Sequence, residues 1–240
     1  MTLPKRAVIS ITTYNGVFYE DNKKTGLYWS EALHPYNVFR EAGFEVDVTS
    51  ETGKFGYDEH SIVGDALDPE SKEAWEDPKH PLKGQLENKM LVASQVDPSK
   101  YGIFFAAGGH GSIYDYPKAT GLHKLAAQIY DNGGVVAAVC HGPAVLPGIK
   151  DVKTSEPIIK GKKVTGFSEE GEKQGGVLDQ MNKEGVQTIE KQVNAVGAKY
   201  IEPPTPFGDF TQNDGRIATG VNPASAKSTA ENAVKIYKSL

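Results

Sequence analysis

The sequence predicts an α/β fold with a mostly parallel central sheet and helices on both faces. Short β-rich runs alternate with helical patterns along the 240 residues, as they do in chains built from βα units. The composition is 38% hydrophobic and 24% charged, which supplies one sizeable core in a chain of this length. We therefore expect residues 1–240 to form a single domain.

The first half of the chain contains three predicted strands and one predicted helix. Residues 7–12 form the first strand, and residues 30–42 form a helix in which Pro35 either causes a kink or occupies the first turn. Residues 44–48 alternate between apolar and polar side chains, as a half-buried strand does. Residues 101–107 are almost continuously apolar and predict a fully buried strand.

A polar segment at about 50–100 separates the second and third strands. Asp-Pro and His-Pro steps recur in it and predict turns and helix starts. Because long segments of this kind are often functional, we interpret it as an insertion or lid within the domain. Its Asp58-Glu59-His60 run predicts a solvated turn, since adjacent residues rarely converge on one cation.

The second half continues the alternation. Residues 134–139 predict a buried strand that leads into a sharp turn and a helix. Residues 158–167 predict a strand pair joined by a tight glycine-containing turn, and Ser168 is the predicted N-cap of the next helix. A helical pattern at 182–197, a strand at 216–220 and an alanine-rich helix at 224–237 complete the series.

Cys140 is the only cysteine, and it lies between the predicted buried strand and His141-Gly142-Pro143. A thiol at such a turn would lie over a helix N-terminus, where backbone N–H groups favour the thiolate and lower its pKa. That arrangement predicts a nucleophile. A lone cysteine that ends an apolar strand is equally consistent with a small buried hydrophobic residue, and the local sequence leaves both interpretations open.

A glycine-rich loop, Gly108-Gly109-His110-Gly111, follows the predicted strand at 101–107. In parallel sheets, ligands bind beyond the carboxyl ends of the strands, so this loop and Cys140 are expected to share one crevice. The N–H groups of Gly109 and His141 would then form an oxyanion hole, with His110 beside the substrate. The alternative is an ordinary strand-to-loop turn.

Several classes of function lack support in the sequence. The net charge of −5 and the dispersed lysines give no basis for binding nucleic acid or an anionic membrane. The six histidines form no His-Glu-x-x-His pair, and one cysteine builds neither a Cys-x-x-Cys site nor an intrachain disulfide. A phosphate-binding Gly-x-x-x-x-Gly-Lys motif is missing. We therefore expect no metal and no cofactor, and a reducing intracellular setting.

Six segments of the sequence together resemble the DJ-1/PfpI superfamily, and within it the fungal heat-shock protein 31 branch. They are AVCHGP (138–143), GHG (109–111), DYP (115–117), EALHP (31–35), SETG (50–53) and TGVNPAS (219–225). The likeness runs from about residue 7 to the C-terminus and includes the polar insertion.

The resemblance implies a flavodoxin-like sandwich, usually homodimeric, that acts as a glutathione-independent glyoxalase (glyoxalase III). Such an enzyme converts the 2-oxoaldehyde methylglyoxal and water to D-lactate without a cofactor, in detoxification and the stress response. A cytoplasmic location, with the nucleus as a second site, goes with that role.

Matched position by position, Cys140 corresponds to the family's nucleophile and His141 to the histidine beside it. Glu172 corresponds to the acidic member of the triad, because among the glutamates of Ser168–Glu172 it alone keeps the Gly-Glu step. Glu31 corresponds to a carboxylate close to the sulfur. Either His141, oriented by Glu172, or Glu31 would move the proton during catalysis.

Other functions remain open at this stage. A stress chaperone would hold unfolded protein clients on an apolar surface, independently of Cys140. A protein deglycase or another cysteine hydrolase would use the same turn and nucleophile. A thiol of low pKa would also be prone to oxidation and would suit a redox sensor.

Overall fold

The computed structural model describes residues 3–240 and contains a seven-stranded sheet with helices on both faces. Residues 3–240 contain nine strands: β1 (Arg6–Ile11), β2 (Glu45–Ser50), β3 (Leu91–Val92), β4 (Ile103–Ala106), β5 (Val135–Val139), β6 (Lys163–Val164), β7 (Lys199–Tyr200), β8 (Thr211–Asp214) and β9 (Ile217–Gly220). Strands β6 and β7 form a separate two-stranded sheet, and the other seven form the main sheet. The sheet order is β3-β2-β1-β4-β5-β9-β8, and only β8 runs antiparallel to its neighbour. This is the order of a flavodoxin-like doubly wound sheet, extended by one strand at each edge.

Helices pack on both faces of this sheet. They are α1 (Trp29–Glu41), α2 (Pro69–Glu76), α3 (Pro81–Asn88), α4 (Ser112–Asp115), α5 (Thr120–Asp131), α6 (Glu169–Gln174), α7 (Leu178–Lys183), α8 (Ile189–Ala195) and α9 (Ala226–Lys238). Within residues 3–240, no helix has both the length and the apolar character that a membrane span requires.

The core is divided by the sheet into two apolar layers. Alternate residues of the central strands point to opposite faces, so Ile9 and Phe105 pack with α1 and α9, whereas Val8 and Phe104 pack with α5. Both faces of these strands are buried, which explains why their sequences are continuously apolar rather than alternating. A sheet covered on both sides leaves the ends of its strands as the place for a site.

Most predicted elements are confirmed by this architecture, but the strand pair at 158–167 is wrong. Ile158 and Ile159 are buried in the apolar layer instead of forming a ladder. The chain turns at Gly161, where φ is +74°, and β6 then pairs in parallel with β7, which lies farther along the chain. The helical pattern at 182–197 is also interrupted, because the chain turns at Gly185 between α7 and α8.

The polar segment at 50–100 folds against the side of the domain that carries α1. It supplies α2, α3 and the edge strand β3. The indole N–H of Trp29 donates to the carbonyl oxygen of Ser71 at 3.0 Å, and the Trp29 ring packs edge-on against Trp75. These contacts attach the insertion to α1, the helix that also carries Glu31.

Candidate active site

Cys140 lies at the carboxyl end of β5 in a strained backbone conformation. Its φ of +59° is unusual for a residue with a side chain and costs about 1–3 kcal/mol. Two backbone hydrogen bonds hold the turn: Cys140 N–H donates to the Gly220 carbonyl at 3.0 Å, and Phe167 N–H donates to the Cys140 carbonyl at 2.8 Å. The turn has the geometry of a nucleophile elbow, which lifts a reactive side chain above the sheet.

The glycine-rich loop after β4 reaches this elbow because Gly109 has no side chain. Its φ is +102°, and a Cβ there would collide with the carbonyl oxygen of Gly26. The N–H of Gly109 is therefore free to approach the thiol, and its interaction with the sulfur lowers the pKa of Cys140, against the effect of burial. The loop and the elbow lie in one crevice, as predicted.

A hydrogen-bonded chain runs from the sulfur to two histidines and one glutamate. Cys140 Sγ lies 3.2 Å from His141 Nδ1, and His141 Nε2 lies 2.8 Å from Glu172 Oε1. The second carboxylate oxygen, Oε2, is 2.9 Å from His110 Nε2. Glu172 is in the first turn of α6, whose predicted N-cap Ser168 accepts from Gly171 N–H at 3.0 Å. Glu172 is thus the glutamate that contacts His141.

The charge on Glu172 determines which nitrogen of each imidazole carries a proton. Burial alone would raise the pKa of this carboxyl, but His110 and His141 outweigh burial and lower it to about 2. A carboxylate only accepts hydrogen bonds, so each Nε2 that faces it carries a proton. In neutral His141 the other nitrogen, Nδ1, is then unprotonated and can accept the thiol proton.

Glu31 approaches the sulfur from the first turn of α1. The side chain is fully buried, and its Oε2 accepts a hydrogen bond from Gly108 N–H at 2.9 Å. Burial raises the pKa of Glu31 from the usual 4.5 to about 8, although hydrogen bonds with Cys140 and Gly108 act in the opposite direction. At neutral pH the carboxyl is therefore mostly protonated and can donate a hydrogen bond to sulfur.

The expected lowering of the Cys140 pKa by a helix N-terminus is wrong. Burial raises the pKa of the thiol, and a charged Glu31 would raise it further. The segment after the elbow is only a short 3₁₀ helix at residues 142–148, with a weaker dipole than a long α-helix. The thiolate thus depends on a proton held by Glu31 and a base at His141, and the protons of the pair are coupled.

A cavity of about 190 Å³ opens above the sulfur. Apart from Gly109, His110, Cys140 and His141, its lining comes from residues that the sequence did not indicate as site residues. These are Tyr19, Tyr28, Phe167, Phe207 and Pro223. Phe207 is 55% exposed at the rim, and the lining includes no residue of the insertion at 50–100. The cavity has mostly aromatic walls and a polar floor.

Asp58 corrects a second expectation, because it is buried rather than part of a solvated turn. Its Oδ2 accepts hydrogen bonds from the hydroxyl groups of Tyr19 at 2.6 Å and Thr25 at 2.8 Å. The Tyr19 oxygen also lies 3.4 Å from His110 Nδ1. Neither residue has a local sequence signal, since a loop after β1 and a loop after β2 bring them together only in the fold.

The ligand-type atoms of His110, His141 and Glu172 lie within 4.8 Å of one another. That spacing alone would allow a metal ion. Each Glu172 oxygen already faces one imidazole at 2.8–2.9 Å, so the three side chains satisfy one another as a hydrogen-bonded cluster. We therefore interpret the cluster as a carrier of protons.

The fold and the site together define a protein of the doubly wound α/β class with a cysteine at the elbow after a central strand. A model of the DJ-1/PfpI family matches residues 25–235, and the chain belongs to this family. The resemblance seen in the sequence motifs and the flavodoxin-like fold are thus confirmed.

Several relatives extend over nearly the whole chain. Glyoxalase 3 of Candida albicans is 48% identical over 233 residues, covering 97% of this chain and 98% of the relative. The glutathione-independent glyoxalase HSP31 of Saccharomyces cerevisiae is 47% identical over 235 residues, covering 98% and 99%. The crystal structure of glyoxalase III from Candida albicans superposes with a TM-score of 0.93 at 49% identity, covering 96% of each chain.

Proposed function

We propose that this protein is a glutathione-independent glyoxalase that converts methylglyoxal and water to D-lactate through a covalent bond to Cys140. One observation supports this reaction above others: two separate proton carriers serve the same thiol, since His141 Nδ1 lies 3.2 Å from the sulfur and the buried Glu31 carboxyl raises the pKa of Cys140. Simple hydrolysis at a cysteine needs only one of them. The rearrangement of a 2-oxoaldehyde to a 2-hydroxy acid also moves a carbon-bound proton, and this step needs the second carrier.

In the first step, His141 Nδ1 takes the thiol proton as the sulfur attacks the aldehyde carbon. The C–S bond forms, and the electron pair of the carbonyl bond moves to oxygen. Gly109 N–H and His141 N–H are the donors for this oxyanion, because neither donates to a protein oxygen among residues 3–240. Glu31 then gives its proton to the alkoxide, which leaves a hemithioacetal and a carboxylate.

In the second step, the Glu31 carboxylate removes the hydrogen from the former aldehyde carbon. The electron pair moves into an enediolate whose negative charge lies on the ketone oxygen. Glu31 returns the proton to the ketone carbon, and the hydroxyl proton of the hemithioacetal passes to the ketone oxygen, which gives a thioester of the 2-hydroxy acid. A pKa of about 8 makes Glu31 a stronger base than an ordinary carboxylate.

In the third step, water attacks the thioester carbon and the C–S bond breaks. The Glu31 carboxylate accepts a proton from the water, and the His141 imidazolium formed in the first step returns its proton to the sulfur as the 2-hydroxy acid leaves. Glu172 holds the imidazole in its orientation throughout. The sum is one oxoaldehyde and one water in, and one 2-hydroxy acid out, with no other reactant.

A test that separates the two proton carriers uses methylglyoxal in D₂O without added thiol, with lactate analysed by mass spectrometry and NMR. A buried Glu31 that carries the proton between carbons predicts lactate that keeps part of the original hydrogen at its second carbon. Glu31→Gln is expected to lower the rate at least about 100-fold. Complete exchange with solvent, together with full activity of Glu31→Gln, would contradict this role of Glu31.

Two further assays, with other substrates and with aggregating clients, distinguish the alternative functions. A deglycase or cysteine hydrolase would turn over a glycated amine or an amide at a rate similar to the oxoaldehyde, with little dependence on Glu31. A chaperone would suppress client aggregation equally well with Cys140→Ala. The homodimer, the unfolded protein clients and the cytoplasmic or nuclear location stay predictions.

A further inference from the structure

Asp58 is a buried carboxylate that faces the active site from the loop after β2. It accepts three hydrogen bonds: from Tyr19 Oη at 2.6 Å, from Thr25 Oγ1 at 2.8 Å and from the backbone N–H of His60 at 2.9 Å. A set of donors of this kind is what an ionised carboxylate uses. A negative charge therefore lies behind Tyr19, away from the solvent.

Tyr19 connects this charge to His110. A phenol has one proton, and the short contact directs it to Asp58. Burial and the charge of Asp58 raise the pKa of Tyr19, so the phenol remains protonated. The Tyr19 oxygen can then only accept from His110 Nδ1, 3.4 Å away. An unprotonated Nδ1 would instead direct its lone pair at a lone pair of the Tyr19 oxygen, which is unfavourable.

His110 consequently faces an acceptor at both ring nitrogens. Nε2 is 2.9 Å from the Glu172 carboxylate, and Nδ1 faces the Tyr19 oxygen. An imidazole that donates from both nitrogens is the charged imidazolium. Glu172 and, through Tyr19, Asp58 balance that charge on either side. Phe18 stacks on the ring at 4.8 Å between centroids and holds its plane.

The charge on His110 acts on His141, whose ring centroid is 4.0 Å away. Burial lowers the pKa of His141, and the charge of His110 lowers it further, whereas Glu172 raises it. The other titratable groups around the two rings are Cys140 and Glu31 at the sulfur, Asp58 behind Tyr19, and His60. His60 stacks on Tyr19 and pairs with Asp21 at 2.9 Å. Two adjacent imidazolium ions would repel each other, so one charged ring keeps its neighbour neutral.

We propose that Tyr19 and Asp58 are positioning residues that hold His110 as an imidazolium, and that this charge keeps His141 neutral as the base for Cys140. The proposal rests on the function proposed above. It assigns catalytic importance to two residues outside the Cys140–His141–Glu172 triad, from two different loops. It also explains why Glu172 faces two imidazoles instead of one.

The direct test is the protonation state of each ring, measured by long-range ¹H–¹⁵N NMR on protein with ¹⁵N-labelled histidine. His110→Asn and His141→Asn assign the signals. At pH 7 the proposal predicts two protonated nitrogens in His110 and a single protonated nitrogen, Nε2, in His141. In Tyr19→Phe, His110 is expected to lose its Nδ1 proton. This measurement needs no turnover, so it remains informative if the protein is not a glyoxalase.

Kinetics give the second readout. In His110→Asn the positive charge disappears, so His141 becomes easier to protonate, and the acidic limb of kcat/KM for methylglyoxal moves up by about one pH unit. Tyr19→Phe should shift the limb in the same direction but less. Tyr114→Phe is the matched control. Like Tyr19, Tyr114 donates its hydroxyl proton to a carboxylate, that of Glu184, and packs its ring on Phe18. Unlike Tyr19, Tyr114 does not line the cavity.

Assays in the presence of a chelator exclude a contribution from bound metal. A neutral His110 in the unmodified protein would overturn the proposal. It would also be overturned if Tyr19→Phe and Tyr114→Phe had the same imidazole signals and the same pH profile. If the unmodified protein does not consume methylglyoxal but the NMR result is as predicted, the proposed function fails and the assignment of the charged ring stands.

Discussion

Glu172 and His141 form a buried contact of 2.8 Å between Oε1 and Nε2, with no more than 1% of either side chain exposed. The contact fixes the tautomer of the imidazole and directs its unprotonated nitrogen to the thiol, 3.2 Å away. Because burial raises the pKa of Cys140, the proposed reaction depends on this orientation of the imidazole to remove the thiol proton. The first prediction concerns this pair.

Glu172→Gln is expected to lower kcat about 10²- to 10⁴-fold with little change in KM. An amide can present its NH₂ group to an imidazole N–H, which disfavours the tautomer that the reaction needs. Steady-state kinetics with methylglyoxal measure the effect. Glu169→Gln, a change in the same helix at a side chain that is 40% exposed, is the control and should retain activity. Equal activity of the two variants would contradict the role of Glu172.

Glu31→Gln is expected to make stability less dependent on pH. The folded pKa of Glu31, about 8, lies above the usual 4.5, so the folded state holds a proton that the unfolded state has lost between these values. The contribution of Glu31 to the free energy of unfolding is therefore fully present below pH 4.5. It falls by about 1.4 kcal/mol per pH unit between pH 4.5 and pH 8.

Glutamine imitates the protonated carboxyl and has no such loss. Chemical denaturation at several pH values should therefore show Glu31→Gln gaining stability relative to the unmodified protein as the pH rises from 5 to 8. Parallel curves for the two proteins would mean that Glu31 ionises normally in the fold.

Gly109→Ala is expected to remove most activity and to destabilise the protein by more than 1 kcal/mol, an order-of-magnitude figure for alanine at positive φ. The added Cβ would meet the Gly26 carbonyl oxygen and displace the N–H that faces the sulfur. Gly161→Ala is the matched control: φ there is also positive, +74°, but no atom lies within 4 Å of the added Cβ. It should lose stability and keep activity. If both variants lost activity, the cause would be the lower stability of the fold and not the position of the Gly109 N–H.

Phe207→Ala is expected to affect bulky substrates selectively. The ring lies at the rim of the cavity. Because the Phe207 side chain is largely exposed, its removal should hardly change the melting temperature. An aryl-substituted 2-oxoaldehyde should lose roughly five- to tenfold in kcat/KM, as about 1 kcal/mol of apolar contact disappears. Methylglyoxal, which is small, should be little affected. Val152→Ala, at an equally exposed residue outside the cavity lining, is the control. Equal loss for both substrates would contradict a rim role.

The sequence predicted the parallel sheet, the elbow at Cys140 and the glycine-rich loop because each depends on a local pattern. Apolar runs specify buried strands, and glycine at residue 109 indicates a backbone that a side chain would block. The position of Glu31 near the sulfur came only from the family resemblance. On its own helix, Glu31 has no feature that distinguishes it from an exposed glutamate.

Other parts of the site depend on contacts between distant segments and had no local signal. Tyr19 and Asp58 follow different strands, and only the packing of their loops reveals the hydrogen bond between them. The direction of the Cys140 pKa was mispredicted for a related reason, because burial is a property of the whole fold and outweighs one helix end. The pairing of β6 with β7 was missed because the partner lies beyond α8.

The central claim is that Cys140 converts a 2-oxoaldehyde without glutathione. The most direct measurement is the lactate formed from methylglyoxal in thiol-free buffer by the unmodified protein and by Cys140→Ala. We predict steady production of lactate by the unmodified protein and none above the buffer rate by the variant. No lactate from the unmodified protein, or equal amounts from both, would contradict the claim.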